Sequence, residues 1–271
     1  MRIDAHQHFW LMAARRGEWP PPDLGPIHRD FLPPDLLPLL LESGVDGTVL
    51  VQTLCSEADT DFMLDLAARH SFIRGVVGWT DLKAPDAPQR VRGLAARPKL
   101  KGLRPMVQAE ASDWLDDAAI DPATAAMAEM GLSFDALVLP CHLPSLLRFA
   151  RRHPALSIVI DHAAKPEIAS GGTPGWAEDM GALAALPNVW CKLSGLLTEA
   201  GERTGIDDIH PYVRRLIALF GTDRLIWGSD WPVLRLAGDY PGWLDMCRRL
   251  IPAEAHPAVF GGNAATFYRL D

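Results

Sequence analysis

Two histidines near the start of the chain, His6 and His8, are the clearest candidates for chemistry. They stand one residue apart in the stretch IDAHQHFW (3–10), whose apolar opening residue is typical of a strand. In a β-strand alternate side chains share a face, so the two imidazoles can point at one spot, with their Cα atoms about 6–7 Å apart. This geometry suits the binding of one metal ion or one polar substrate atom.

Three further polar residues follow later apolar runs. His142 comes after LSFDALVL (132–139), His162 follows LSIVID (156–161), and Asp230 lies within RLIWGSDWP (224–232). Three of these four imidazoles, with the carboxylate of Asp230, form a ligand set suited to Zn²⁺, with Mn²⁺ as the alternative, and a catalytic site keeps one position for water. Asp230 could bind the ion, take a proton from that water, or do both.

The elements that must position these residues alternate along the chain. Apolar runs predict strands starting at Ile3 and over 47–52, 73–79, 100–106, 132–139, 156–161, 189–195 and 224–232. Helical spacing of apolar residues predicts helices over 34–43, 59–70, 88–96, 122–130, 143–153, 176–186 and 209–220, with a last helix over 252–269. Such near-continuous Val/Ile/Leu runs are typical of parallel strands that are buried on both faces.

Eight strands with helices between them predict one domain over residues 1–271, an α/β protein with the (β/α)8 TIM-barrel fold. The competing fold, a doubly wound open sheet, usually has a Gly-rich turn after the first strand, where this chain has His-Gln-His. Barrel enzymes carry their sites at the carboxyl ends of the strands. The polar residues expected there are His6, His8, Gln52, Arg104, His142, His162 and Asp230.

Composition excludes several function classes. Of the 271 residues, 48% are hydrophobic and 22% charged, which is ordinary for a globular chain. The net charge of −8 comes without a basic block, so no nucleic-acid partner is expected. No apolar run approaches the length of a membrane span, and four scattered cysteines without a Cys-x-x-Cys pair fit reduced thiols. We therefore expect a cytoplasmic protein with a small-molecule substrate, and the oligomeric state stays open.

Other residues have two interpretations each. The Pro- and Trp-rich segment 17–34 cannot be regular helix, and a long loop of this kind is a candidate for covering a site near His6 and His8. Gln52 either faces the substrate or packs, and Trp10 either stacks on a sugar ring or packs at the barrel rim. Lys165 either reaches the site or pairs with an acidic residue of its loop.

The motifs together resemble one superfamily. IDAHQHFW, VQTLCSEAD, KGLRPMVQ, LSFDALVLPCHLP, IDHAAKP and WGSDWPV are similar, in this order, to the amidohydrolase superfamily, and in particular to its sugar-lactone hydrolases of the L-fuconolactonase-like and L-rhamnonolactonase-like kind. The similarity extends over nearly the whole chain. It implies a TIM barrel that opens a sugar-acid lactone with water, in a pathway such as L-fucose degradation.

The resemblance also implies roles for particular residues. Asp230 would deprotonate the water, His142 would bind the lactone or assist its leaving oxygen, and Arg104 would hold the substrate. His6, His8 and His162, with Asp230, would hold one Zn²⁺. A second ion is not expected, because the place of a carbamylated bridging lysine reads LRPM. Some related lactonases work without a metal, so the histidines would act either through the ion or directly.

Alternative functions remain open at this stage. A 2-pyrone-dicarboxylate lactonase should need several basic residues for two carboxylates, and Arg104 is the strong candidate here. A metal-dependent decarboxylase of the same superfamily uses a similar His/Asp cluster. A catalytically inactive ligand-binding barrel would place no demand on a base. Acyl-enzyme chemistry is disfavoured, since Ser194 and Ser229 do not lie in a Gly-x-Ser-x-Gly elbow.

Overall fold

Eight short parallel strands lie side by side in chain order in this computed structural model, which describes residues 1–15, 17–172 and 174–270. Their residues are almost entirely buried, as expected for strands that are covered on both faces. The strands are β1 (Ile3–Gln7), β2 (Gly47–Val51), β3 (Ile73–Gly78), β4 (Leu100–Leu103), β5 (Ser133–Ala136), β6 (Ile158–Ile160), β7 (Val189–Leu193) and β8 (Leu225–Trp227).

The sheet closes on itself next to the two histidines of β1. Just beyond β8, the backbone N–H of Asp230 donates to the carbonyl of His6 at 2.7 Å, and the N–H of His8 donates to the carbonyl of Trp231 at 2.8 Å. These bonds place β1 and the end of β8 in one ladder. The predicted (β/α)8 barrel is confirmed.

Helices cover the outside of the barrel. They are α1 (Pro33–Ser43), α2 (Glu57–Arg69), α3 (Ala87–Ala95), α4 (Asp121–Met130), α5 (Leu143–Arg152), α6 (Pro174–Ala184), α7 (Ile206–Phe220), α8 (Tyr240–Leu250) and α9 (Asn263–Tyr268). In the described residues no helix is both long and apolar enough to cross a membrane.

The end of the chain differs from the prediction. Helix α8 was not predicted, although the carboxylate of Asp239 accepts from the N–H of Gly242 at 2.8 Å and so caps its first turn. A continuous helix over 252–269 was wrong, because the chain forms short 3-10 and π turns before α9. At Gly261 a Cβ would lie 2.1 Å from the carbonyl oxygen of Met1, so only glycine permits this close approach.

Helix α9 closes the amino end of the barrel. Phe267 and Tyr268 pack with apolar residues of the barrel interior, among them Ile3 and Val159. The carbonyl of Arg269 accepts from the Nζ of Lys101 near the start of β4. The polar residues predicted for the site lie at the opposite end of the barrel, at the carboxyl ends of the strands.

Candidate functional site

Asp230 is the point on which the three histidines converge. Its Oδ1 lies 3.1 Å from the Nε2 of His8, 3.7 Å from that of His6 and 3.8 Å from that of His162. All four side chains are buried. The structure therefore brings together the four residues that were predicted as metal ligands.

Neighbouring backbone orients His8. Its Nδ1 lies 2.7 Å from the carbonyl oxygen of Val51 on β2, and a carbonyl only accepts, so Nδ1 carries the proton. The Nε2 then faces the Oδ1 of Asp230 at 3.1 Å. An imidazole held in this way is ready to bind a metal ion through Nε2.

An unusual turn positions His162. Residues 162–165 all have positive φ, at 52°, 51°, 59° and 51°, a conformation that costs non-glycine residues about 1–2 kcal/mol each. The indole N–H of Trp176 donates to the carbonyl of Ala163 at 2.7 Å and supports the turn. The backbone of Asp230 also has a left-handed conformation, with a φ of 59°. Five of the seven non-glycine residues with positive φ in the described part of the chain thus lie at His162–Lys165 and at Asp230, two of the segments that supply the site.

Serine residues take supporting positions. The Oγ of Ser194 lies 2.9 Å from the Nδ1 of His162, and Ser229 donates to the buried carboxylate of Asp4 at 2.6 Å. Burial raises the pKa of Asp4 to about 6, although hydrogen bonds from Ser229 and Tyr240 oppose the shift. Ser194 thus positions His162, and Ser229 holds the β1–β8 junction.

The charges of the site favour cation binding. Burial alone would raise the pKa of Asp230, but His162, His8 and His6 outweigh it and hold that pKa below its usual value. Burial lowers the pKa of His162 to about 4, and burial together with the Lys192 ammonium holds the pKa of His6 well below its usual value. At neutral pH the site therefore offers an ionised carboxylate beside neutral His6 and His162.

A buried ionic network that sequence analysis missed lies beneath His6. The ammonium of Lys192 on β7 is 2.7 Å from Asp135, 2.9 Å from Asp161 and 3.3 Å from the Nδ1 of His6. Tyr268 of α9 donates to Asp135 at 2.5 Å. All these side chains are fully or almost fully buried. The available signal was the pair of opposite charges inside apolar strands, SFDA and VWCKL.

Arg104 joins this network to the cavity. Its Nη1 lies 3.1 Å from Asp161 and 3.2 Å from the Nε2 of His6, and its Nη2 donates to the carbonyl of Gln52. The Gln52 amide in turn donates to the carbonyl of Arg104 at 2.6 Å. Gln52 is thereby placed behind the arginine, whereas Arg104 itself lines the cavity.

A cavity of about 350 Å³ opens above the histidines, within the size range of small-molecule sites. Trp19 and Leu24 of the 17–34 loop form part of its wall, so this loop does reach the site. Lys165 also lines it and pairs with Glu199 at 3.4 Å. The remaining lining residues are His8, Thr53, Arg104, Met106, Gln108, Leu137, His162, Thr198, Asp230, Val233 and Leu236.

Two residues predicted for the site, His142 and Trp10, form hydrogen bonds with backbone atoms instead of lining the cavity. The Nδ1 of His142 accepts from the N–H of Leu139 at 3.1 Å, and its Nε2 donates to the carbonyl of Glu110 at 3.2 Å. The indole of Trp10 donates to the carbonyl of Arg29 at 2.7 Å and packs on Trp19. Both lie outside the set of cavity-lining residues. A strand position alone did not reveal where these side chains point.

The ligand atoms of His6, His8 and Asp230 lie within 4.8 Å of one another, close enough to share a single ion. Zn²⁺ binds nitrogen and oxygen at about 2.0–2.1 Å, so neighbouring ligand atoms in a tetrahedron lie about 3.4 Å apart. The distances of 3.1, 3.7 and 3.8 Å from the Asp230 Oδ1 to the three imidazoles are close to this value. Residues His6, His8 and Asp230, with His162 beside them, could hold the ion.

Fold and site together define the class of protein, a (β/α)8 barrel with a His/Asp centre at the carboxyl ends of its strands. A family model described as amidohydrolase matches residues 3–270. The chain belongs to the amidohydrolase family.

Known relatives narrow the branch. The chain is 56% identical over 278 residues to L-fucono-1,5-lactonase of Burkholderia ambifaria, covering 100% of this chain and 96% of that one. It is 37% identical over 286 residues to L-fucono-1,5-lactonase of Burkholderia multivorans, again covering 100% and 96%. A crystal structure of an amidohydrolase from Burkholderia multivorans with bound zinc superposes with a TM-score of 0.93 over 100% of both chains, at 37% identity. The predicted membership in the sugar-lactone branch is confirmed.

Proposed function

We propose that this protein hydrolyses a sugar-acid lactone of the L-fucono-1,5-lactone type to the free sugar acid. The observation that carries the proposal is the convergence of three imidazoles on the ionised carboxylate of Asp230 at the floor of a small cavity. The 56% identical lactonase supports the substrate class. A lactone is an internal ester, so the reaction needs water, a base and a means to stabilise the oxyanion.

Asp230 is the proposed base. Its carboxylate is ionised at neutral pH and lies at the cavity floor, so it can accept a proton from a water molecule that attacks the lactone carbonyl. The proton then passes from Asp230 to the ring oxygen as the acyl C–O bond breaks. General-base catalysis by a positioned carboxylate typically contributes about 10²–10⁴ in rate.

His6, His8 and His162 are the proposed holders of one divalent ion, with Asp230 as the fourth ligand. When bound, a Zn²⁺ ion with a further coordination position left for substrate or water would polarise the lactone carbonyl and lower the pKa of the attacking water. The contacts of His8 with Val51 and of His162 with Ser194 keep both Nε2 atoms directed to the centre. The identity of the ion, Zn²⁺ before Mn²⁺, rests on the chemistry of the ligands and on the zinc-bound relative.

Substrate contacts are proposed for the polar cavity wall. Arg104 and Lys165 both line the cavity and can donate to lactone and sugar oxygens. Gln52 would act through Arg104, whose carbonyl it holds, and Trp10 through Trp19, on which it packs. His142 would fix the backbone around the cavity rather than touch the leaving oxygen, since both of its ring nitrogens are bonded to backbone.

The cavity favours a neutral sugar lactone over a dicarboxylate. Among its described lining residues the side chains with permanent positive charge are Arg104 and Lys165. Arg104 is already paired with Asp161, and Lys165 with Glu199. Two carboxylates of a pyrone substrate would therefore compete with existing ion pairs.

A substrate panel tests the proposal. Acid release with a pH indicator would be measured for L-fucono-, L-galactono- and L-rhamnono-lactones and for 2-pyrone-4,6-dicarboxylate, and carbon dioxide release for aromatic carboxylates. We expect turnover of the fuconolactone with zinc supplied, and little from the pyrone or the carboxylates. Turnover of an aromatic carboxylate alone would support the decarboxylase, and silence on every substrate would support an inactive binding barrel.

A further inference from the structure

Two groups of ligand-type side chains share His6. One group contains His6, His8 and Asp230, and the other contains His6, Asp161 and His162. A barrel hydrolase with both groups available could hold two ions side by side. What surrounds each group determines which of them is open to a cation.

The Asp161 group is already faced by cations. The ammonium of Lys192 lies 2.9 Å from the Oδ1 of Asp161 and 3.3 Å from the Nδ1 of His6, which are themselves 3.5 Å apart. A metal ion bridging these two atoms would lie almost on top of the ammonium. The other oxygen of Asp161 is 3.1 Å from the guanidinium of Arg104.

At the Asp230 group, the carboxylate itself has no described lysine or arginine nitrogen within 4 Å. The Arg104 guanidinium approaches this group at the Nε2 of His6, at 3.2 Å. Among the described residues, the side-chain partners of the Asp230 Oδ1 are the imidazoles of His6, His8 and His162. Its carboxylate thus keeps its charge available for an ion from solution. The cavity opens directly onto it.

Charge balance explains why the ammonium stays. The network around Lys192 contains two cations, Lys192 and Arg104, against two anions, Asp135 and Asp161. Removing one partner of such a buried set leaves an uncompensated charge, which is strongly destabilising. The position of the Lys192 Nζ is therefore a cation site, filled by the chain itself.

We propose that the Lys192 ammonium takes the place of a second metal ion, so that this protein holds one divalent ion, on the His8 and Asp230 side of His6. The inference rests on the single-ion site of the proposed function. It predicts that emptying the position of the ammonium will create a second metal site between the carboxylates of Asp135 and Asp161, beside His6.

The test is zinc stoichiometry, measured by equilibrium dialysis and metal analysis on the purified full chain. Wild type is expected to take one Zn²⁺ and Lys192→Ala two. The second ion should bind at least about 100-fold more tightly in the variant than in wild type, because a like charge a few ångströms away has gone. Zinc should also raise the thermal midpoint of Lys192→Ala more than that of wild type, since the ion restores charge balance.

Three further variants keep the test decisive. Lys192→Met removes the charge but fills the space and should take one ion, as should the half-exposed control Lys101→Met. Lys192→Ala combined with Asp135→Asn removes the carboxylate that the single variant leaves unpaired, because Asp161 keeps Arg104 as its partner. This double variant can be used if the single variant does not fold. It should still take two ions, since the amide oxygen at position 135 can bind a metal. One zinc in both Ala-containing variants, or two in wild type, would overturn the inference. No zinc in wild type would instead refute the single-ion site.

Discussion

Gly195 lies against the ring of His162 and offers a direct way to displace that histidine. A Cβ at this position would lie 2.4 Å from the Nδ1 and 2.6 Å from the Cγ of His162, whereas ordinary contact begins at 3.4 Å. In Gly195→Ala the ring must therefore withdraw by about 1 Å, a misplacement that can cost about 10² in rate. Zinc affinity should fall together with kcat/KM.

Stability should fall as well, for two separable reasons. Gly195 has a φ of +64°, which costs alanine about 1–2 kcal/mol, and overpacking adds about 1–3 kcal/mol. Gly201→Ala is the matched control: its φ is +57°, yet its Cβ would meet Ala169 at an ordinary 3.4 Å. Urea unfolding, a chelator competition for zinc and lactone hydrolysis would be measured on both. If Gly195→Ala matched Gly201→Ala in zinc affinity and kcat/KM, His162 would not be part of the working site.

The remaining predictions concern pH, the covering loop and the cavity wall. Because burial lowers the pKa of His162 from 6.5 to about 4, its contribution to stability is whole above pH 6.5 and is lost as the pH falls through 4, about 3 kcal/mol in all. Burial raises the pKa of Asp4 to about 6, so Asp4 makes stability change with pH in the opposite direction. The test therefore compares the free energy of unfolding in urea between wild type and His162→Gln from pH 7 to 4. Equal pH dependence in the two proteins would contradict the prediction for His162. Arg15→Met removes the buried guanidinium that donates to Thr53 and to the Trp19 carbonyl and should raise KM several-fold with a smaller change in kcat; an unchanged KM would show that the loop does not shape the cavity. Lys165→Met should likewise act mainly on KM, and a loss confined to kcat would contradict a binding role.

Much of the fold was accessible from the sequence because its signals are local. Runs such as GTVLV and IRGVVG are buried strands, and the histidines of β1 were correctly placed at a strand end. Helix α8 was overlooked despite the cap at Asp239, and the predicted helix over 252–269 ignored the close approach that Gly261 makes to Met1. Such an approach depends on a distant part of the chain, which periodicity does not report.

Prediction of the site was limited by side-chain direction and by long-range pairing. The predicted barrel was enough to place His6, His8, His162 and Asp230 together, since all lie at or just beyond the carboxyl ends of β1, β6 and β8. Lys192 pairs with Asp135, which lies 57 positions earlier in the sequence. A single charged residue in an apolar run therefore gave no sign of its partner. For the same reason, a polar residue near a strand end could either line the cavity or bond to backbone beside it.

The most direct test of the account compares kcat/KM for L-fucono-1,5-lactone between wild type and Asp230→Asn, both loaded with zinc. Asp245→Asn, the same change at an exposed residue of α8, is the control. The isosteric amide cannot accept the proton, so the account predicts a loss of at least about 10²–10⁴ with the fold retained, and no loss in the control. Near-native turnover by a folded Asp230→Asn would contradict the assignment of Asp230 as the base, and with it the proposed chemistry of the site.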